Sequence, residues 1–310
     1  MSVEVYIMES TQIGDLTLYT ITVGASTYIV SSKGARLLNW FVSMADGSSR
    51  DVIYMPANVD IAAADFASLH CGMPVLFPFA GASFVDGKEG FWKTPSGEVL
   101  PMRKHGYAID GDFEISEIGD ASLKAVYKPS DDFRAAYPFD CEFCITYRFS
   151  ELSFTCELTL KNNSATSIPW GAGLHPYFNL PWSSGLSRAD YRLLCDAKKA
   201  YHIQKDGSFV PADIFKTSFA DEDVQNRIIT KFKNAQVKFG PKNGEEDITV
   251  KIGFDDSPNV GATFVTWSES PDAPYYCVEP WMNMPNCASK PVHTVDAGKS
   301  GAFVVEISLL

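Results

Sequence analysis

The chain has 310 residues, 45% hydrophobic and 21% charged, enough apolar material for one large domain or two ordinary ones. Gly 22 and Pro 18 are near-average usage, which excludes collagen-like and Pro/Gly-rich low-complexity chains. A net charge of −12 argues against the clustered Lys and Arg that phosphate-backbone binding needs, so no nucleic-acid partner is expected.

In chain order, Met1 to Ser10 carries two Glu and no Lys or Arg, and no apolar run follows. The segment lacks the basic and apolar regions of a signal peptide. Alternating segments then predict strands at Leu16 to Val23, Tyr28 to Val30, Gly34 to Val42, Phe113 to Ile118, Leu123 to Lys128, Cys141 to Phe149 and Leu152 to Leu160. Others follow at Tyr191 to Leu194, Gln236 to Phe239, Ile248 to Phe254, Thr263 to Trp267, Tyr275 to Val278 and Ala302 to Leu309. Turn dipeptides separate such runs at Asp46-Gly47, Asp86-Gly87, Asp110-Gly111, Asp206-Gly207 and Asn243-Gly244. Helical periodicity is scarce, with short helices or single turns expected only over Ile61 to Leu69 and Asp131 to Ala136. Many short strands with regular turns predict an all-β sandwich or barrel, read as a single domain over 1–310.

The apolar stretch Cys71 to Val85 is interrupted by Gly72, Pro74, Pro78 and Gly81, so no membrane span is expected. Seven scattered cysteines do not form a compact disulfide framework. Cys141 and Cys144 fall on opposite faces of their strand, which disfavours joint chelation. Reduced thiols and a cytoplasmic location are the expectation.

Five histidines exist, and none forms H-x-H or H-x-x-x-H; no nucleophile elbow or P-loop occurs. No metal and no cofactor are expected. His70, His202 and His293 read as hydrogen-bonded structural or surface residues. His175 differs because it follows Gly171 and Gly173 on one extended face and precedes Pro176, which holds it out of the helical region. The two glycines leave room for something to approach the backbone. Glu279 ends an apolar strand, shares a face with Tyr275 and Cys277, and precedes Pro280. A buried carboxylate needs partners or a task. A histidine and a glutamate, each pinned before a proline, suit general acid–base chemistry in fixed geometry. The alternatives are a bulge beside a core histidine and a rim glutamate in an ion pair.

The chain resembles the aldose 1-epimerase (galactose mutarotase) superfamily, particularly the branch with hexose-6-phosphate mutarotases and bacterial epimerase-like proteins. The matching blocks are Gly34-Ala35, Gly72-Met-Pro-Val-Leu-Phe-Pro78 with Gly81, His105-Gly-Tyr-Ala108, Tyr137-Pro-Phe139, Gly173-Leu-His-Pro-Tyr-Phe178 and Val278-Glu-Pro-Trp281. The resemblance implies a large antiparallel β-supersandwich and interconversion of the α and β anomers of a hexose. It implies His175 as general acid toward the ring oxygen, Glu279 as base at the anomeric hydroxyl, and His105 as a substrate hydrogen-bonding group. An anionic Glu279 would help keep His175 protonated. Tyr177 and Trp281 are candidate apolar faces for the sugar ring. The expected partner is a small-molecule sugar, with the chain a monomer or homodimer.

Two departures concern the substrate. Ala82 and Ile109 stand where members of this branch often carry arginine. Arg103, Lys104 and Lys88 are nearby replacements, with a solvated loop as the alternative for each. Asp213, after a turn signal, is a candidate sugar contact or, more simply, a turn former. A non-catalytic carbohydrate-binding protein on the same scaffold is the rival reading. A glycosidase or lyase would want paired carboxylates, and only one is well placed.

Overall fold

The structure, a computed structural model, describes residues 6–242, 248–253, 261–289 and 293–309. Two large sheets dominate, one of 13 strands and one of 8, with antiparallel ladders throughout. The larger sheet runs from the Tyr6–Ile13 edge through Leu37–Ser43, Ser49–Ile53 and Tyr177–Asn179 to Tyr275–Trp281, Thr263–Trp267 and Ile228–Thr230. The smaller sheet includes Cys141–Phe149, Ser153–Asn162 and the last strand, Ser300–Leu309. One hydrophobic core contains residues from Ile21 to Ile307. Its aromatic contacts bridge the sheets: Tyr28 lies 4.6 Å from Phe149, and Phe178 lies 4.7 Å from Phe239. Each such buried ring contributes about 1.5–3 kcal/mol. This is the all-β, antiparallel supersandwich expected.

Alternation places the strands closely. Leu16–Val23, Cys141–Phe149 and Thr263–Trp267 have the expected limits, while Tyr28 to Val30 extends to Ser26–Ser31. The Gly34 end of the next segment is a left-handed turn, at φ 67° for Gly34 and 42° for Ala35, so the strand is Leu37–Ser43. Asn243-Gly244 and Phe254 lie outside the described residues.

Asp131–Ala136 is a short helix, its first turn capped by Ser130 Oγ, which accepts from the Phe133 N–H at 3.2 Å. Ile61 to Leu69 is not helical. Asp60 and Asp65 side chains accept from the Ala62 and Ala67 amides two residues on, and these local bonds make turns instead. All seven cysteines are free. Among the described residues, no helix is long and apolar enough to cross a membrane.

The Tyr275–Trp281 strand is buried along its whole length. Tyr276 and Val278 join the inter-sheet core, whereas Tyr275 and Cys277 pack with Tyr177 on the opposite face. That second face floors a cleft.

Candidate active site

Register builds the site. Tyr177 pairs with Cys277 and Gly173 pairs with Trp281, so His175 and Glu279, midway between those pairs, face one another. The His175 Nε2 to Glu279 Oε1 distance is 3.3 Å. His175 is 7% exposed and Glu279 is 1% exposed. On the other flank of Tyr275–Trp281, Val265 pairs with Glu279 and Trp267 with Cys277. His175, Glu279, Val265 and Trp267 line a cleft of about 520 Å³, within the size range of small-molecule sites.

His105 reaches the cleft from a loop. Its backbone is left-handed at φ 65°, and its N–H donates to the Gly81 carbonyl at 2.9 Å. The Gly81 N–H donates in return to His105 Nδ1 at 3.2 Å. An accepting Nδ1 leaves the proton of the neutral ring on Nε2, which makes that edge a donor. Burial, reinforced by Lys104, pushes the His105 pKa down to about 3, so the ring is neutral near pH 7. Its ring stands edge-on to His175 at 5.4 Å and to Trp281 at 5.8 Å.

Burial also pushes the Glu279 carboxyl well above the usual carboxylate range, with Lys104 opposing. The same burial, with His105 and Lys104, pushes His175 well below the usual imidazole range. Both directions favour uncharged groups, which opposes the anion–cation pair expected from residue types alone. One proton held between two groups 3.3 Å apart belongs to the pair and not to either member. His175 Nδ1, Glu279 Oε2 and Trp281 Nε1 are buried with no protein hydrogen-bond partner. Such atoms each cost about 1–3 kcal/mol unless something satisfies them.

Tyr177 and Trp281 both line the cleft, though both are nearly buried. Tyr177 stacks on His175 at 4.8 Å. Trp281 occupies the space that Gly173 leaves: a Cβ at Gly173 would lie 2.6 Å from the indole. A Cβ at Gly171 would lie 2.6 Å from Cys287 Sγ. The two glycines therefore admit protein side chains, not a ligand, which corrects the expectation drawn from their spacing.

Ala82 and Ile109 do line the cleft, as apolar wall. Arg103 lines it too, but its guanidinium binds Asp110 at 2.9 Å and lies over the Tyr107 ring. Lys104 lines the cleft without an ion pair among the described residues, whereas Lys88 sits over Phe91 and lies outside it. Asp213 also lies outside. Its carboxylate accepts from the Phe215 N–H at 2.8 Å and its carbonyl from Arg227 at 2.7 Å, so it is a turn residue and not part of the cleft.

His70 and Trp267 are cleft residues that sequence reasoning missed. His70 follows a turn segment without alternation, and Trp267 looks like any aromatic at a strand end. His202 and His293 lie outside the cleft, in keeping with a structural or surface role.

Among the described residues, His175, Cys277 and Glu279 bring donor atoms within 4.8 Å of one another. The set is poorly prepared for a metal. Burial and Glu279 push the Cys277 thiol well up, so a metal would have to displace its proton as well as the one the His175–Glu279 pair holds.

The sequence model of the aldose 1-epimerase family matches residues 17–285. Protein LacX of Lactococcus lactis subsp. lactis (the chromosomal form) is 23% identical over 232 residues, 68% of this chain and 73% of that protein. A galactose mutarotase related enzyme from Lactobacillus acidophilus has the same fold, at TM-score 0.74 and 18% identity, covering 98% of this chain and 97% of its own. A galactose mutarotase-like protein from Clostridium acetobutylicum superposes at TM-score 0.78 with 14% identity, covering 98% of both chains. The structural likenesses speak to fold. With the motif blocks, the supersandwich and a match over most of the length in agreement, the chain belongs to the aldose 1-epimerase family.

Proposed function

We propose that this protein is a mutarotase acting on a hexose, with Glu279 and His175 as its proton-exchange pair. The observation that carries the reading is the buried 3.3 Å His175–Glu279 contact in the floor of the cleft, with further polar atoms of both residues unpartnered. Ring opening removes a proton from O1 and delivers one to the ring oxygen O5 as the C1–O5 bond breaks. Rotation about C1–C2 and the reverse transfers give the other anomer. Protons lost and gained balance within the sugar and the pair, so the chemistry calls for no cofactor. Glu279 in its anionic form takes the O1 proton, and His175 in its protonated form supplies O5. The neutral arrangement favoured by burial contains the same single proton, so one transfer between the partners readies the site. His105, neutral and a donor at Nε2, is suited to hold and polarise a sugar oxygen. Tyr177 and Trp281 supply apolar surface for the ring.

A non-catalytic sugar-binding protein is favoured by one observation, the apolar Ala82 and Ile109 in the cleft wall. Such a binder has no use for a buried proton-exchange pair. Saturation-transfer NMR on free and phosphorylated aldoses separates the readings. The enzyme reading expects anomer exchange above the spontaneous rate for at least one hexose. Binding without acceleration for every sugar would establish the rival.

A further inference from the structure

The cleft contains a second polar station, separated from the proton-exchange pair by the Tyr177 ring. The His70 ring stacks on Tyr177 at 5.9 Å and 19°, and Tyr177 in turn stacks on His175 at 4.8 Å and 16°. Trp267 stands edge-on to all three, 5.2 Å from His70, 6.1 Å from Tyr177 and 5.7 Å from His175. His70 thus sits two stacking steps from the groups that handle O1 and O5. Its Nδ1 lies 3.5 Å from Glu269 Oε2 and 3.5 Å from the Tyr275 hydroxyl, which itself donates to Glu269 at 3.1 Å. Every polar contact of His70 among the described residues therefore falls on Nδ1. Partners on one nitrogen set the ring's orientation and leave the other for a ligand. The ring lines the cleft and is part-exposed.

We propose that His70, oriented by Glu269 and Tyr275 and stacked on Tyr177, is a further substrate-binding residue whose Nε2 hydrogen-bonds a hydroxyl of a neutral sugar. The inference rests on the sugar reading of the cleft. Two stacking steps from His175 put the contacted hydroxyl away from the anomeric carbon. The Glu269 carboxylate beside Nδ1 makes this end unfavourable for a phosphate, which selects an uncharged group. A His–Glu pair with only a structural role does not discriminate between sugars.

The test is titration calorimetry on wild type, His70→Phe and His70→Gln, with anomer-exchange kinetics alongside. The ligands are glucose, galactose and the 2-, 3-, 4- and 6-deoxy derivatives of whichever binds better. His70→Phe retains a ring for the stack and removes both nitrogens. One hydrogen bond predicts a 3- to 10-fold rise in Kd and KM, with the loss falling on KM more than on kcat. One deoxy sugar should bind wild type 3- to 10-fold more weakly than its parent but bind His70→Phe equally well. His70→Gln, which retains a hydrogen-bonding head, should regain part of the loss and serves if the Phe variant does not fold. Equal deoxy penalties in wild type and variant at every position would overturn the proposal, as would an absence of sugar binding by wild type. Sugar binding with the predicted deoxy pattern but no anomer exchange would uphold His70 and overturn the mutarotase reading instead.

Discussion

Replacing Glu279 by Gln separates chemistry from stability. The substitution keeps the volume and polarity of a side chain 3.3 Å from His175 Nε2 but removes the ability to take up a proton. Loss of one member of an acid–base pair lowers the rate by about 10² to 10⁴. That corresponds to about 3–5.5 kcal/mol of transition-state stabilisation. The stability effect runs the other way. Burial raises the Glu279 carboxyl well above its unfolded value of about 4.3. A group whose folded pKa is raised contributes its stability below the unfolded pKa and loses it as pH rises. At pH 7 folding must therefore protonate Glu279 or bury its charge, and either is unfavourable; glutamine avoids both. We expect Glu279→Gln to melt at or above the wild-type temperature at pH 7, with any advantage shrinking towards pH 4. Saturation-transfer NMR, corrected for spontaneous exchange, gives kcat on the best wild-type sugar, and calorimetry gives Tm. Near-normal kcat in the folded variant would refute Glu279 as the base. A marked drop in Tm would refute the assignment of its raised pKa to unfavourable burial.

His175→Asn, which removes the imidazole, should lose a similar factor in kcat while keeping the fold, checked by the same exchange assay and far-UV circular dichroism. His105 titrates at about 3 when folded against about 6.5 unfolded, a depressed value, so its contribution is present above 6.5 and lost as pH falls towards 3. The full shift corresponds to at most about 5 kcal/mol, less for a ring that is only part-buried by surface; urea melts of wild type and His105→Gln from pH 7 to 4 should converge if this is right. Free glucose should show higher kcat/KM than glucose 6-phosphate, because Ala82 and Ile109 are apolar and Arg103 is held by Asp110. A phosphate preference that fades with salt and disappears in Lys104→Ala would show instead that Lys104 serves as the anion clamp. Dialysis against a chelator should leave activity unchanged, since the Cys277 thiol is held protonated beside the exchange pair; loss of rate restored by one specific metal would contradict this.

Much of this molecule is local in origin and so was legible in the chain. Alternation of Val, Ile, Thr and aromatic residues specifies a strand's faces wherever the strand lies, and Cys141–Phe149 and Thr263–Trp267 keep their expected limits. Pro176 and Pro280 restrict His175 and Glu279 through neighbouring backbone sterics, a constraint written in the chain itself. Of the two readings open for Ile61 to Leu69, turns form and a helix does not, because Asp60 and Asp65 compete for amides that a helix would need. What pairs with what is not local. Register between segments about a hundred residues apart brings His175 opposite Glu279, and burial there favours the uncharged forms over the ion pair their residue types suggest. The space beside Gly171 and Gly173 goes to Cys287 and Trp281, and Asp213 is turned away into its own loop. His70 carries no periodic signal, and only the packing of its segment over Tyr177 brings it into the cleft. A side chain's chemistry is written at its own position, but its protonation and partners depend on which distant groups exclude water from it.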